Sequence, residues 1–238
     1  MLLLIKSYNM KKTIILAVIG ILLAVSAFSQ KSTYVTSGFE ILFSQANIND
    51  VNNPDASSTL RFAPIISAQS LCNFDMSKKF GLFSGLGYRN VGYIYDDYST
   101  VLPEGVTSSI KKKFRTYNIG IPVGVKLGNM DGLFFYGGYE VEFPFVYKEK
   151  TFNTADEKID TEKYWFGNRT KNVQQSWMVG VQLPYGMNVK FKMYFTEFHN
   201  QDFEANGVQP YAGLESKIWY ISFTKILFRG VKFVAVEK

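Results

Sequence analysis

One stretch of alternating residues limits this chain to a small number of folds. From Thr116 to Lys148, odd positions are apolar and even positions are small or polar, on both sides of a Gly-Asn-Met-Asp-Gly turn. Successive side chains of a β-strand point to opposite faces, so the pattern predicts a β-hairpin with one apolar face. A soluble sheet and a strand pair bordering lipid both have this property, and the rest of the chain must distinguish them.

The same period of two recurs along the chain, and no segment shows a convincing helical period longer than two turns. No internal repeat is evident. We therefore predict an all-β fold in one domain. The predicted strands are approximately 34–44, 59–70, 81–95, 114–127, 133–148, 174–183, 187–196 and 217–228.

The connections between these strands alternate in length. Residues 45–58, 96–113, 149–173 and 197–216 are long and polar, and those between them are short or medium. Alternate connections of a meander emerge at the same end, so all long ones would share one rim. This asymmetry is typical of membrane barrels and predicts an eight-stranded antiparallel up-and-down transmembrane β-barrel with short periplasmic turns and long extracellular loops.

The N-terminal segment has the three parts of a secretory signal. Lys11 and Lys12 precede an apolar run from Thr13 to Val25, and a small-x-small cleavage site ends at Ser29, before Gln30. We therefore divide the chain into an N-terminal extension with the signal peptide, residues 1–29, and a barrel domain, residues 30–238. The expected location is the outer membrane.

Charge and cysteine content exclude several classes of function. Lys6, Lys11 and Lys12 would leave with the signal, which lowers the net charge from +6 to +3. That charge is too weak and too scattered to indicate a nucleic-acid partner. Cys72 is the single cysteine of the chain, so an internal disulfide and a four-thiolate zinc site are both ruled out.

Alternation does not by itself say whether the apolar face lies inside or outside. In a soluble lipocalin-like barrel it would line the interior, whereas in an outer-membrane barrel it meets lipid. The strands are long enough for a tilted crossing, which favours lipid. Aromatic residues near strand ends also suit interface girdles. These are Tyr88, Tyr95, Tyr117, Tyr147, Trp177 and Trp219.

The polar face mixes glycines with charges of both signs, which suits the crowded interior of a narrow barrel better than a solvated surface. We therefore predict an interior network of ion pairs and hydrogen bonds with a structural role. Its predicted members are Glu40, Arg61, Arg89, Glu140, Glu142, Lys190 and Lys192.

Three prolines conflict with this scheme. Pro64, Pro122 and Pro144 fall inside predicted strands, although a closed barrel has no free edge at which a missing N–H is harmless. Bulges or interior water are the expected means of accommodating Pro122 and Pro144.

The segment "YNIGIPVGVKLGNMDGLFFYGGYEVEF", residues 117–143, resembles a recurring pattern of the PorT-like outer-membrane β-barrel proteins of Bacteroidota. In that pattern an "IP-hydrophobic-K" strand is followed by a short turn and an aromatic strand. The resemblance implies an integral barrel of about eight strands, of the small OmpA type. Some members of the family assist a secretion machine, and the family supplies no catalytic residues.

The chain offers little catalytic chemistry. His199 is its single histidine, and with Asn200, Asp202 and Ser216 it could be imagined as the site of a lipid-modifying enzyme. A polar loop supplies those residue types by chance, so we predict no enzymatic activity. The oxygen-rich loop Asn47–Asp55 lacks EF-hand spacing. We expect no cofactor and no metal.

The favoured hypothesis is a non-enzymatic integral outer-membrane barrel with a role in envelope structure, surface interaction or secretion assembly. Its expected partners are outer-membrane lipid and lipopolysaccharide, together with envelope or secretion-system proteins. Two alternatives stay open at this point, namely a lipid-modifying enzyme that uses His199 and a soluble periplasmic lipocalin-like binder of a small apolar ligand.

Overall fold

The computed structural model describes residues 32–64, 67–101, 107–230 and 233–234. The predicted signal peptide lies outside the described residues. The strands are β1 (Ser32–Asp50), β2 (Ser57–Thr59), β3 (Arg61–Ala63), β4 (Ala68–Asp75), β5 (Phe80–Val101), β6 (Thr107–Gly128), β7 (Phe134–Phe152), β8 (Lys158–Trp165), β9 (Gln174–Gln182), β10 (Met187–Tyr194), β11 (Leu214–Arg229) and β12 (Phe233–Val234). A short 3₁₀ turn at Pro184–Gly186 joins β9 to β10.

The strands form one antiparallel sheet that closes on itself. Its order is β11-β10-β9-β7-β6-β5-β4-β1, and β1 also pairs with β11 from Thr36 to Asp50. Strands β2, β3 and β4 together occupy one position in the wall, because β2 and β4 pair with β5 while β3 and β4 pair with β1. The predicted eight-stranded antiparallel barrel is confirmed.

The apolar face of the strands lies outside. Phe39 is 65% exposed and Phe135 is 61% exposed, whereas Arg89 and Glu140 on the opposite face are fully buried. A barrel with an apolar outer belt and a polar interior has the construction of a membrane-spanning barrel. This orientation is the reverse of the lipocalin-like alternative, which is therefore wrong. No helix among the described residues is long and apolar enough to cross a membrane.

Each of these three prolines lies at a local irregularity of the ladder. Pro64 follows β3, where the wall between β1 and β5 is broken. At Pro122 the β5–β6 ladder passes from Ser84↔Val123 to Gly87↔Gly120 and omits the proline without a change of register. Pro144 adjoins a β-bulge in β7. The missing N–H groups therefore fall where no regular ladder bond is made.

The bulge in β7 corrects part of the sequence interpretation. Tyr117 pairs with Val146 and Asn118 with Pro144, so Phe145 is an extra residue that reverses the faces beyond it. Tyr147, predicted to lie on the outer face, is therefore buried inside. Tyr95, predicted to lie in an interface girdle, is also buried inside, where its hydroxyl donates to Asp50 at 2.7 Å.

The long connections share one end of the barrel, as predicted, but they contain more strand than expected. Strands β1, β5, β6 and β7 continue past the apolar belt into segments predicted to be loops, and β7 forms a further hairpin with β8. Turns at 76–79, 129–133 and 183–186 form the opposite, short-turn end. Beyond the belt charged residues such as Lys113, Lys148 and Lys150 occupy outward positions, so the apolar alternation is interrupted although backbone pairing continues.

Candidate functional site

The barrel interior contains three regions along its axis. A cavity lies at the short-turn end, a layer of buried charges lies in the middle, and an aromatic core fills the long-loop end. We call the middle layer the lumenal charge cluster, and it consists of Glu40, Arg89, Glu140, Glu142, Lys190 and Lys192.

Arg89 lies at the centre of the lumenal charge cluster. Its guanidinium contacts Glu40 at 2.5 Å through Nη1 and Glu140 at 3.1 Å through Nε. It also donates to Gln69 Oε1 at 3.2 Å. Guanidinium groups suit this position because they stay charged and present several donors in one plane. One side chain thus links β5 to carboxylates on β1 and β7, across the lumen.

Two lysines of β10 complete the pairing. Lys190 Nζ lies 2.5 Å from Glu40 Oε1, and Lys192 Nζ lies 2.5 Å from Glu140 Oε2 and also contacts Glu142. Three carboxylates face three cations, so the cluster is electrically neutral. This matters because removing one partner of a buried ion pair typically costs about 3–5 kcal/mol.

Neutral polar groups add further hydrogen bonds to two carboxylates of the cluster. Ser222 donates to Glu40 at 2.5 Å, and Asn118 and Tyr194 each donate to Glu142 at 2.7 Å. Glycine on the inner face leaves the necessary room, since a Cβ at Gly120 would lie 2.2 Å from Glu140 Oε1. The packed network therefore depends on small residues as well as on charges.

Arg61 was predicted to join this network, and the structure places it elsewhere. Its guanidinium fills the break in the wall between β3 and β5, where it donates to Asn90 Oδ1 at 2.7 Å and to Asn90 O at 3.3 Å. A third donation reaches Ser44 Oγ at 3.4 Å. Arg61 is buried and Phe62 exposed, as period two implies, but the partners of Arg61 lie in the break rather than in the lumenal charge cluster.

A second, smaller set of polar contacts lies toward the short-turn end. Lys126 Nζ lies 2.6 Å from Asp75 Oδ1, 3.1 Å from Asn73 Oδ1 and 3.3 Å from the Tyr34 hydroxyl. The sequence pattern placed Lys126 inside, but Asp75 and Asn73 fall in a segment predicted to be a connection. Their role could be recognised only once β4 was seen to extend to Asp75.

The long-loop end of the lumen is filled by an aromatic core. Tyr93 and Phe114 project inward from β5 and β6, Phe198 and Tyr211 come from the connection between β10 and β11, and all four are buried. Tyr147 hydrogen-bonds to Tyr211 at 2.9 Å. The alternation rule missed this core because both faces of these strand ends contain aromatic or polar residues.

His199 is enclosed by this core. Its ring stacks on Tyr211 at a centroid distance of 4.2 Å and contacts Phe114 edge-on at 4.6 Å, and its Nε2 lies 3.0 Å from the Tyr93 hydroxyl. Burial, with the nearby charge of Lys112, lowers the pKa of His199 to about 3. The ring is therefore neutral and shielded from solvent.

Two other residues of the imagined lipid-modifying site share a partner, because Lys171 contacts both Asn200 Oδ1, at 3.3 Å, and Asp202. Asn200 donates to Asn168 O at 3.0 Å, and Asp202 forms an exposed ion pair with Lys171 at 3.9 Å. Ser216 is buried. In the described part of the chain no group of three or more His, Cys, Asp or Glu side chains is placed to hold a metal ion.

A cavity of about 310 Å³ occupies the short-turn end. The turns 130–132 and 183–186 form its mouth, and Arg89 and Lys190 of the lumenal charge cluster lie at its inner end. The cavity is therefore separated from the opposite end of the lumen first by the charge cluster and then by the aromatic core.

An apolar belt around a closed eight-stranded wall, with paired charges inside, is the construction of outer-membrane barrels. This chain is an integral outer-membrane β-barrel. No family model matches the sequence, and no curated protein matches it.

Several solved structures are similar to the chain. The attachment invasion locus protein Ail of Yersinia pestis, solved with the heparin analogue sucrose octasulfate, is 9% identical with a TM-score of 0.36, over 85% of this chain and 99% of that one. Neisserial surface protein A is 12% identical with a TM-score of 0.37, over 82% and 97%. The outer membrane protein OprG from Pseudomonas aeruginosa is 9% identical with a TM-score of 0.32, over 86% and 96%. These identities and TM-scores are low, so the assignment as an outer-membrane barrel is based on the strand pairing and burial of this chain.

Proposed function

We propose that this outer-membrane barrel is a non-enzymatic envelope protein that presents a rigid β-rim for interactions at the cell surface. The observation that carries the proposal is the continuation of β1, β5, β6 and β7 beyond the apolar belt, around a packed aromatic core. A rim held by backbone pairing and buried aromatics keeps its shape, which suits binding better than a set of mobile loops does.

The proposed orientation follows from the two ends of the barrel. The short turns face the periplasm, and the extended hairpins face the exterior, as is usual for barrels of this kind. Membership of the PorT-like family is part of the proposal, on the pattern of residues 117–143. The proposed partners are outer-membrane lipid and lipopolysaccharide, with envelope or secretion-system proteins at the exposed rim.

The absence of catalysis is also proposed, and the environment of His199 supports it. The imidazole is enclosed by aromatic rings and bonded to Tyr93, so a lipid substrate in the surrounding membrane has no direct path to it. Replacing it by His199→Phe should leave the composition of lipid A and phospholipids in the outer membrane unchanged. A change in either lipid that tracks with this variant would contradict the proposal.

Orientation can be tested with introduced cysteines in a Cys72→Ser background. Thr154 is exposed in the turn between β7 and β8, and Lys78 is exposed in the turn between β4 and β5, at the opposite end. A membrane-impermeant maleimide should label Thr154→Cys on intact cells and should label Lys78→Cys only after lysis.

The membrane fraction supplies the control for that experiment. Both variants should show heat-modifiable gel migration, which reports a closed barrel. Recovery in the aqueous fraction without detergent, or labelling of Lys78→Cys on intact cells, would contradict the proposed function.

A further inference from the structure

A cluster of cations lies on the outer surface of the barrel just beyond the apolar belt. It surrounds a depression of about 240 Å³ whose other described lining residues are apolar. We call it the basic rim patch, and its members are Lys113, Arg115, Lys148 and Lys150, while the buried Arg61 lines the depression from the break in the wall.

The register of β6 and β7 brings like charges face to face. Lys113 pairs with Lys150, and Arg115 pairs with Lys148, which in turn pairs with Lys163 of β8. Directly opposed side chains of an antiparallel pair have Cβ atoms about 4.5–5.5 Å apart, and like charges in that position are destabilising. These two outward-facing pairs of like charges therefore lower the stability of the isolated protein.

Two neighbouring lysines, by contrast, are neutralised by ion pairs with acidic side chains. Lys111 lies 2.9 Å from Asp156, and Lys112 lies 2.7 Å from Glu149. Within the described ranges, none of the four members of the basic rim patch forms an ion pair with an aspartate or glutamate. The pKa of Lys150 is lowered, first by partial burial and then by the charges of Lys148 and Arg115. No direct ion pair in the described residues therefore neutralises the patch, and Lys113 acts on Asp96 and Asp156 only at longer range.

The position of the patch indicates what compensates it. Arg115 donates to the hydroxyl of Tyr117 at 3.2 Å, and Tyr117 stacks on Tyr88 at 6.0 Å in the aromatic boundary of the belt. Interfacial aromatics mark the level of lipid headgroups. The cations begin one outward position above Tyr117, where the phosphate groups of membrane lipid lie.

We propose that the basic rim patch binds the phosphate groups of the phosphorylated glycolipid in the outer leaflet, lipopolysaccharide. This inference rests on the proposed orientation, which puts the patch in that leaflet. Arg115 and the three lysines supply charge and hydrogen-bond donors to phosphate oxygens. Phe62, which pairs with Phe43 of the belt, lines the membrane side of the same depression and contacts the apolar part of the glycolipid.

The test uses the full mature protein in neutral detergent and measures retained lipid by native mass spectrometry. The probes are bisphosphorylated lipid A, the same lipid after removal of both phosphates, phosphatidylglycerol and inorganic phosphate. Wild-type protein should retain bisphosphorylated lipid A in preference to the other three. Equal retention of the dephosphorylated lipid or of phosphatidylglycerol, or displacement of lipid A by equimolar inorganic phosphate, would overturn the proposal.

The variant Lys113→Gln/Lys148→Gln/Lys150→Gln should weaken lipid A binding about tenfold to a hundredfold, because each lysine near a charged lipid surface contributes favourably. Since it also removes like-charge pairs, its thermal stability in detergent should equal or exceed that of the wild type. Lys78→Gln/Lys79→Gln/Lys225→Gln removes the same charge at the short-turn end and should leave binding unchanged.

Unchanged lipid A binding in the rim variant would overturn the proposal. Heat-modifiable gel migration distinguishes a failure of the proposed function from a failure of the lipid site alone. If the wild type does not form a heat-modifiable barrel, the proposed function fails. If the barrel forms but lipid A is not retained through its phosphates, the lipid site alone fails.

Discussion

At the scale of single residues, the interior is governed by the cost of leaving a charge or a polar group unpaired. Arg89 can be buried because Glu40 and Glu140 approach it from two other strands. His199 differs from Arg89, because it is buried without a carboxylate partner and stays neutral. The two side chains show that the lumen accepts a charge where ion-pair partners are present and keeps a group without such a partner neutral.

The low pKa of His199 predicts a pH dependence of stability. The folded-state pKa is about 3 and the ordinary value is 6.5, so below pH 6.5 the unfolded chain takes up a proton that the folded chain does not. This contribution to stability is complete above pH 6.5 and is lost as the pH falls toward 3. Between pH 7.5 and pH 5 the wild type should lose about 2 kcal/mol relative to His199→Phe.

Urea unfolding of both proteins in lipid vesicles, at the two pH values, measures this difference. Carboxylates shared by the two proteins contribute equally and cancel. Parallel loss of stability in wild type and variant would show that His199 is not held neutral.

At the scale of elements, one bulge decides the composition of the outer half of the lumen. The extra residue Phe145 turns Tyr147 and Glu149 inward, where Tyr147 donates to Glu149 at 2.7 Å. The same reversal turns Lys148 and Lys150 outward onto the basic rim patch. A single irregular position thus supplies both the aromatic core and the charged outer surface.

Deleting Phe145 and Val146 together should prevent the barrel from forming, because the loss of one residue beyond the bulge moves every later side chain of β7 to the other face. Lys148 and Lys150 would be forced inside, and Tyr147 and Glu149 would be forced out. The expected result is loss of heat-modifiable migration. Deleting Phe145 alone removes the bulge but keeps Pro144 opposite Asn118 and Val146 opposite Tyr117, so this control should still form the barrel. A double deletion that folds as well as the single deletion would contradict this account.

At the scale of the whole molecule, the lumen is blocked by two barriers in series. The cavity at the short-turn end stops at the lumenal charge cluster, and the aromatic core fills the space beyond it. An eight-stranded barrel is only wide enough for its own side chains, so neither barrier leaves a water-filled path. The extended hairpins add height to the barrel without adding an opening.

The wild-type protein should accordingly show no stepwise conductance in planar bilayers. The variant Glu140→Ala/Lys192→Ala keeps the lumen neutral and should also stay closed, because the aromatic core remains. The variant Phe198→Ala/Tyr211→Ala removes part of the aromatic core. It should also stay closed, because the lumenal charge cluster still blocks the lumen. Stepwise currents from the wild type at moderate voltage would contradict the two-barrier interpretation.

The local pattern of the chain was enough to predict the strands, their two faces and the alternation of short and long connections. The reason is that side-chain direction in a strand depends only on parity, as the apolar positions 119–127 and the buried Glu140 and Glu142 illustrate. Parity failed where the backbone departs from regular pairing, at the bulge before Tyr147, and it did not reveal that Arg61 pairs with Asn90 in the break.

Only the tertiary structure decided which charges meet and which do not. Arg89 and Glu40 are 49 residues apart, and their contact depends on the closure and stagger of the whole barrel rather than on any local signal. The sequence pattern also did not predict that the strands extend beyond the apolar belt, because in those segments backbone pairing continues without an apolar face. The face of each residue was thus a property of the sequence, whereas its partner across the lumen was a property of the closed sheet.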